Sequence, residues 1–365
     1  MRDSLYNEVP DEEPSWSLEL IDRIRQDSME KLGYDSANMS REETRFVVTS
    51  YYDIQSTRLQ LNNRLLALKK KEEPRSAIEF IFNGMKNTED NIKKILVGYS
   101  KGQQIGQWAE SIPGIGPVIS AGLIAHIDIT RAPTVGHIWR FAGLDPTSEW
   151  LGREKAEKLI SDIVHQRDLK TNVSDEQVAQ IANLAYRRAD ALKTQALSFS
   201  KDENTTVVTK GYLIKALSKR PWNADLKLVC WKAGQSFVPL AGKITKEKGP
   251  DIYGNVYSER KVLEIQRNEA GNNADVAAKR MLQVGRDTDA YKAYSQGFLP
   301  PGHVHARATR YATKLFLAHW HHVAYELKYN TPPPKPYIIE HGGHTHYIAP
   351  PHWGGTNIEC DCPTR

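Results

Sequence analysis

Residues 111–127 read SIPGIGPVISAGLIAHI, and this stretch decides the fold. Gly114, Ile115 and Gly116 form a Gly-apolar-Gly turn. Val118, Ala121, Leu123 and Ile124 follow it as a small, apolar helix. Two glycines let the backbone bend tightly and approach a ligand with no Cβ in the way. Because the turn opens a helix, its free N–H groups point outward with the positive end of the macrodipole behind them. A phosphate oxygen suits that geometry, and such a contact reads a nucleic-acid backbone rather than base edges. Pro117 fits the first helical turn, where its missing N–H costs nothing. This is the helix-hairpin-helix pattern, with Ile112 ahead of the turn. A plain glycine turn between two packed helices satisfies the same residues.

Working outward toward the N-terminus, Ser40 and Glu43 spell a capping box for a long helix. Val47, Tyr51, Ile54, Arg58, Leu61, Leu65 and Leu68 then recur at alternating spacings of four and three, a heptad seam broken by one arginine. Pro74 ends the run, and Ile78, Ile81, Phe82, Met85, Ile92, Leu96 and Tyr99 mark a second helix over roughly 76–99. The pair reads as an αα-hairpin or as a dimerising coiled coil. A shorter helix is expected at 17–31, and residues 1–40 form an N-terminal segment.

Toward the C-terminus the chain breaks into shorter elements. HIWRFAGLDP at 137–146 reads as a helix end capped by Gly143, with Trp139 and Phe141 in the core. Ser174 and Gln177 spell a capping box for one helix over 174–199. Residues 242–273 are polar and glycine-rich and give no clear element. Residues 304–329 form the last strong helix, with Arg307, Arg310 and Lys314 on one face. His303 and His305 read as a loop before it. Strand signals are few, at 205–209 and 336–339. The fold class is mainly α: a long helical hairpin or coiled coil, then a helix-hairpin-helix domain with a helical insertion and an irregular tail. The implied divisions are 41–107, 108–240 with an insertion near 155–206, and 241–365.

Composition is that of an ordinary globular chain, 40% apolar and 25% charged, with net charge +5 and pI near 8.8. No apolar run approaches the roughly 20 residues that span a bilayer, so no membrane partner is expected. Met1–Pro14 is acidic and polar, unlike a secretory signal. Three cysteines, Cys230, Cys360 and Cys362, fit a reducing cytoplasm. Charge is concentrated between Lys210 and Lys248, where nine Lys or Arg face two acids. The tail gathers His303, His305, His319, His321, His322, His341, His344, His346 and His352 near Cys360 and Cys362, but the spacing matches no established zinc pattern. No metal site or cofactor is assigned.

IPGIGPVISAGLIAHI and RFAGLDPT together resemble the C-terminal domain of insertion-sequence transposases of the IS110/IS116/IS902 group. Ser218, Lys219 and Arg220, leading into Trp222, Asn223, Leu226 and Lys227, look like the group's basic SKR-type element. The resemblance covers roughly 41–153 and 207–238. It implies DNA recombination in a mobile element or phage, with DNA contacts at Gly114, Ile115, Gly116, Val118, Ser218, Lys219 and Arg220. Lys215, Arg307 and Arg310 add charge around them. It also implies a RuvC-like nuclease domain at the start, whereas this chain opens with helices. A serine nucleophile is implied just after the AGL-x-P element, and Ser148 is the nearby serine, although no Ser-Gly pair is present. Three functions follow as expectations: a DNA-binding transposase-like protein, a serine recombinase, or a helical scaffold. A homodimer or higher oligomer is the expected assembly, and RNA stays open as a partner.

Overall fold

The computed structural model describes residues 36–146, 150–245, 249–334 and 348–354. They divide into two units, one ending at Gln103 and the other beginning at Gln104. The first unit is a helical hairpin. Helix α1 (Arg41–Lys70) starts where the Ser40 side chain accepts the Glu43 amide at 3.1 Å, with Glu42 and Glu43 in its first turn and Lys69 and Lys70 in its last. Helix α2 (Ser76–Lys101) folds back on α1 after Pro74. Thr44, Val48 and Tyr51 are buried on α1, and Leu96, Tyr99 and Ser100 on α2. The expected seam is therefore present, entered at Val48 instead of Val47.

The arginine that breaks the seam is accounted for. Arg58 pairs with the buried Glu89 of α2, and Gln55 donates to the same carboxylate at 3.1 Å. Burial pushes the Glu89 pKa up, but hydrogen bonds from Arg58 and Gln55 outweigh it and hold the carboxyl below its ordinary range. A paired charge can sit in an apolar seam where a lone one could not.

The second unit is built around α14 (Pro301–Tyr329). Against it pack α3 (Gln104–Ser111), α5 (Val135–Phe141), α10 (Ala224–Phe237) and α11 (Ile252–Glu269). Trp108, Phe237, Tyr253 and Phe316 make the aromatic centre, with Tyr253 and Phe316 edge to face at 5.4 Å. Helix α4 (Pro117–His126) is apolar on every side and is accordingly buried on nearly every side, between α3 and α10. A second cluster joins α6 (Gly152–Ser161), α7 (Asp175–Leu184), α8 (Ala189–Leu197) and α9 (Lys210–Ser218) around Ile160, Ile181, Leu192 and Leu213. A third gathers Ala277 of α12 (Ala274–Met281), Tyr294 of α13 (Asp289–Ser295), Leu299 and Val304.

The mainly α class holds. The sheet content among the described residues is one short antiparallel pair, β1 (Ile244–Thr245) with β2 (Gly249–Pro250). Several boundaries differ from expectation. The helix expected over 174–199 is two helices, because Tyr186 takes φ +52° and turns the chain so that both bury one face in the same cluster. The Ser174–Gln177 capping box is present in full. The polar 242–273 stretch contains α11, whose apolar contacts come mostly from tyrosines and so leave a weak periodic signal. Helix α14 begins at Pro301, placing His303 and His305 inside it and not in a loop; proline at the first position is pre-set for that start. Of 205–209, Thr209 alone forms a bridge, to Asn172, and 336–339 lies outside the described residues. No described helix is long and apolar enough to cross a membrane.

Candidate nucleic-acid interface

The turn between α3 and α4 is anchored from below. Ile112 and Ile115 are buried, and the Ile115 amide donates to the Ile112 carbonyl at 3.1 Å to close the bend. Gly114 has φ +84°, and a Cβ there would lie 3.0 Å from the Ser236 carbonyl oxygen of α10. Gly114 therefore faces the protein. Gly116 is the opposite case: it is the N-cap of α4 in extended geometry, and a Cβ there would meet nothing within 4 Å. Pro117 occupies the first helical position as expected. No partner for the Gly116, Val118 or Ile119 amide occurs among the described residues. Of the residues expected to make contact, Ile115 and Val118 turn their side chains into the core, so their share is limited to the main chain.

The second group is side-chain based. Two motifs that are far apart in sequence meet at Gly143, whose φ of +65° and close packing on Trp222 leave no room for a larger residue, a Cβ falling 2.8 Å from the indole. The Asn223 amide donates to the Phe141 carbonyl at 2.9 Å, and the Asn223 side chain caps α10 through the Leu226 amide. The AGLDP and SKRPWN segments thus form one corner of the fold. Phe141, expected in the core, stands 44% exposed at this corner because its helix ends there.

Cations line the corner, several resting on aromatic rings. Lys227 Nζ sits 4.1 Å from the Trp222 ring centroid, and Lys314 Nζ sits 4.3 Å from that of Trp139. Trp139 is fixed in turn by donating Nε1–H to the Lys314 carbonyl at 3.0 Å. Arg220 lies 5.1 Å from the Trp150 ring, while Lys219 and Lys215 lie 4.5 and 6.0 Å from Phe199. Ser218 bonds back to the Ile214 carbonyl at 2.6 Å, a helix-end role.

Electrostatics separates the two arginines of α14. Arg307 is 2.6 Å from the fully buried Glu264, which also takes Arg260 at 2.5 Å and Arg267 at 3.8 Å. Arg310 forms no ion pair among the described residues. Desolvation lowers its pKa, and Arg307 and Arg280 lower it further. Lys227 is lowered by burial and then by Arg310 and Arg220. Lys314 is lowered by burial and by Arg310, with Asp145 opposing. Sequence reasoning placed Trp139 in the core and read Trp222 and Lys227 only as the residues into which the SKR-type element leads, without pairing either with Lys314 or Arg310. The available signals were Lys227 one helical turn after Asn223, and Lys314 one turn after Arg310.

Among the described C-terminal histidines, those on α14 are committed to the fold, while His352 is exposed. Tyr253 Oη lies 2.7 Å from His319 Nδ1, and His319 Nε2 lies 2.8 Å from the Ile348 carbonyl oxygen. A carbonyl only accepts, so Nε2 carries the proton and Tyr253 donates to Nδ1. His303 and His305 bond Tyr294 and Tyr257, His321 the Ala132 carbonyl, and His322 Glu326. His341, His344, His346, Cys360 and Cys362 lie outside the described residues, as does Ser148.

The site is thus a buried helix opened by a glycine turn and flanked by a cation-lined corner. Residues 106–170 match the model of the Transposase IS116/IS110/IS902 family, so the resemblance carried by the IPGIGP and AGLDP motifs stands over α3 to α6. The match ends before the SKR-type element. It includes Lys155 to Lys170, part of the stretch read as an insertion. No curated protein and no solved structure matches the chain.

Proposed function

We propose that the protein is a transposase-like DNA-binding protein of a mobile element that grips backbone phosphate at the turn before α4. The observation that carries this reading is the open side of Gly116. Amides with no partner among the described residues stand at the N-terminus of a buried helix, where dipole and donors both favour an oxyanion. Lys215, Lys219, Arg220 and Arg310 supply surrounding positive charge, and Arg307 supports them from its place beside Glu264. The contacts are to phosphate, so the protein reads DNA shape and position more than sequence.

The test separates the two glycines. Gly116→Val adds a side chain to open space, so the protein should fold while duplex affinity falls roughly tenfold, about the worth of one charge-assisted hydrogen bond. Full affinity in a folded Gly116→Val protein would remove the turn from the interface. Duplex, four-way and single-stranded DNA, with RNA beside them at one salt concentration, rank the ligand.

A second reading rests on the family match: a recombinase in which Ser148 attacks the phosphodiester. Loss of Mg²⁺-supported cutting of supercoiled DNA in Ser148→Ala, with binding retained, is the result that promotes it. The α1/α2 hairpin is the surface through which we propose two copies pair, and sedimentation of a chain lacking residues 41–103 addresses that pairing.

A further inference from the structure

Three groups in this molecule invite a further role: the Glu264 arginine cluster, the His319 network, and the cations between α10 and α14. Glu264 is neutralised within the fold by Arg260 and Arg307, with Arg267 near. The His319 network ends on a backbone carbonyl and is closed. Lys227, Arg310 and Lys314 are different, because none of them forms an ion pair among the described residues and Asp145 is the one carboxylate acting on Lys314 there.

We infer that Lys227, Arg310 and Lys314 form a second phosphate site, at the corner where α5, α10 and α14 meet. Each lysine holds its ammonium over an indole, Lys227 Nζ over Trp222 and Lys314 Nζ over Trp139, at 4.1 and 4.3 Å from the ring centroids. Those indoles are themselves immobilised, Trp139 by its bond to the Lys314 carbonyl and Trp222 by Gly143. The ammonium groups are therefore placed before a ligand arrives, and little side-chain entropy remains to be lost. Helices α10 and α14 are held at closest approach by Gly234, where a Cβ would come within 2.5 Å of Thr313 Oγ1. That contact sets the spacing of the two helices that carry Lys227, Arg310 and Lys314.

The charge balance identifies the ligand. None of the three forms an ion pair among the described residues, and Asp145, which pulls on Lys314, also lies 3.5 Å from Arg140. Lys227 and Lys314 feel Arg310, and Lys227 also feels Arg220. Gathering like charges in a partly dry corner raises the energy of the empty site. An oxyanion bearing several acceptor oxygens relieves it by meeting all three donors, and guanidinium and ammonium are the groups that phosphate takes. The site rests on the reading that the ligand is a nucleic acid; of the residues given to the glycine-turn grip it uses Arg310 alone.

The experiment follows tryptophan emission of the full chain titrated with inorganic pyrophosphate and with a DNA duplex, with duplex affinity measured across salt. Trp139 and Trp222 report directly because the lysines stand on them. Expected is saturable quenching or shift with both probes, lost in Lys227→Gln/Lys314→Gln and restored in Lys227→Arg/Lys314→Arg. The salt slope of log K for the duplex should also shrink by about one for each phosphate contact removed. A glutamine double variant that binds duplex with unchanged affinity and slope overturns this site and leaves the glycine-turn reading standing. Gly116→Val losing duplex while retaining pyrophosphate supports both. Wild-type protein that responds to pyrophosphate but to no nucleic acid keeps the anion chemistry and overturns the nucleic-acid reading. No response to either probe overturns this inference.

Discussion

The glycine turn and the cation corner solve one problem with different chemistry. At the turn the donors are main-chain amides, and the side chains of Ile112, Ile115 and Val118 serve only to hold the bend from beneath. At the corner the donors are side chains, and aromatic rings hold them from the side. A backbone site adds no charge of its own, so it can sit on an apolar, densely packed base. A cationic site carries a repulsion that must be supported by the fold until an anion arrives. The turn should therefore fail by steric means and the corner by electrostatic or scaffold means.

The largest expected effect tests the turn. Gly114→Val forces a β-branched residue to φ +84° and against the Ser236 carbonyl, 3.0 Å from the new Cβ. Strain and contact together should cost about 3 kcal/mol, seen as a lower denaturant midpoint. Gly116→Val should leave that midpoint nearly unchanged. Equal loss of stability in both would erase the distinction between the inward and outward glycine.

Acid should act on the corner's scaffold next. His319 lies on α14, and burial first, opposed by its bond to Ile348, lowers its pKa from 6.5 to about 4. Its folded-state pKa is depressed, so the unfolded chain takes up the proton first as pH falls. Stability from this group is complete above about 6.5 and is lost progressively toward about 4. The full loss is on the order of 3 kcal/mol. His319→Gln should flatten the acid dependence of the unfolding midpoint between those limits; an unchanged acid limb would exclude His319 as its source.

Gly234→Ala is next in size. Alanine favours the helix locally, but its Cβ would stand 2.5 Å from Thr313 Oγ1 and 2.7 Å from Thr309 Cγ2. Prising α10 from α14 should cost about 1–2 kcal/mol and weaken pyrophosphate binding at the corner. Adding Thr313→Ser should not restore either, because the hydroxyl remains; adding Thr313→Ala should restore part of both. Indifference of pyrophosphate binding to Gly234→Ala would mean that the corner does not depend on this helix crossing.

These sites differ in how far the sequence reveals them. The turn was legible because its chemistry is local: glycine, apolar, glycine and proline specify a bend and a helix start within four residues. The Arg58 break in the seam was legible as an interruption, while its partner Glu89 is set by how α1 and α2 register. The corner was not legible as a unit. Gly143 and Trp222 read as a cap and a post-motif aromatic, and their contact depends on tertiary packing across 79 residues of chain. Helix α11 was hidden for another reason. Tyr253, Gly254, Tyr257 and Glu264 are its buried positions, and such residues give little apolar periodicity. The single helix expected over 174–199 failed at Tyr186, a residue type with no general preference for positive φ.

The smallest expected effect separates two neighbours on one helix face that look alike in sequence. Arg307 and Arg310 are one turn apart, but Arg307 is matched by Glu264 and Arg310 meets other cations. Arg310→Gln should relieve repulsion, leaving stability unchanged or slightly raised, while duplex affinity drops several-fold and the salt slope declines by about one. Arg307→Gln should do the reverse: affinity nearly intact, and a modest stability loss, softened because Arg260 still reaches Glu264 at 2.5 Å. If both variants lose affinity alike, the charge of the whole face matters and not the pairing of its members. If only Arg307→Gln loses affinity, the ligand outcompetes a buried carboxylate for its arginine, and the corner's apparent surplus of charge is no guide to where phosphate sits.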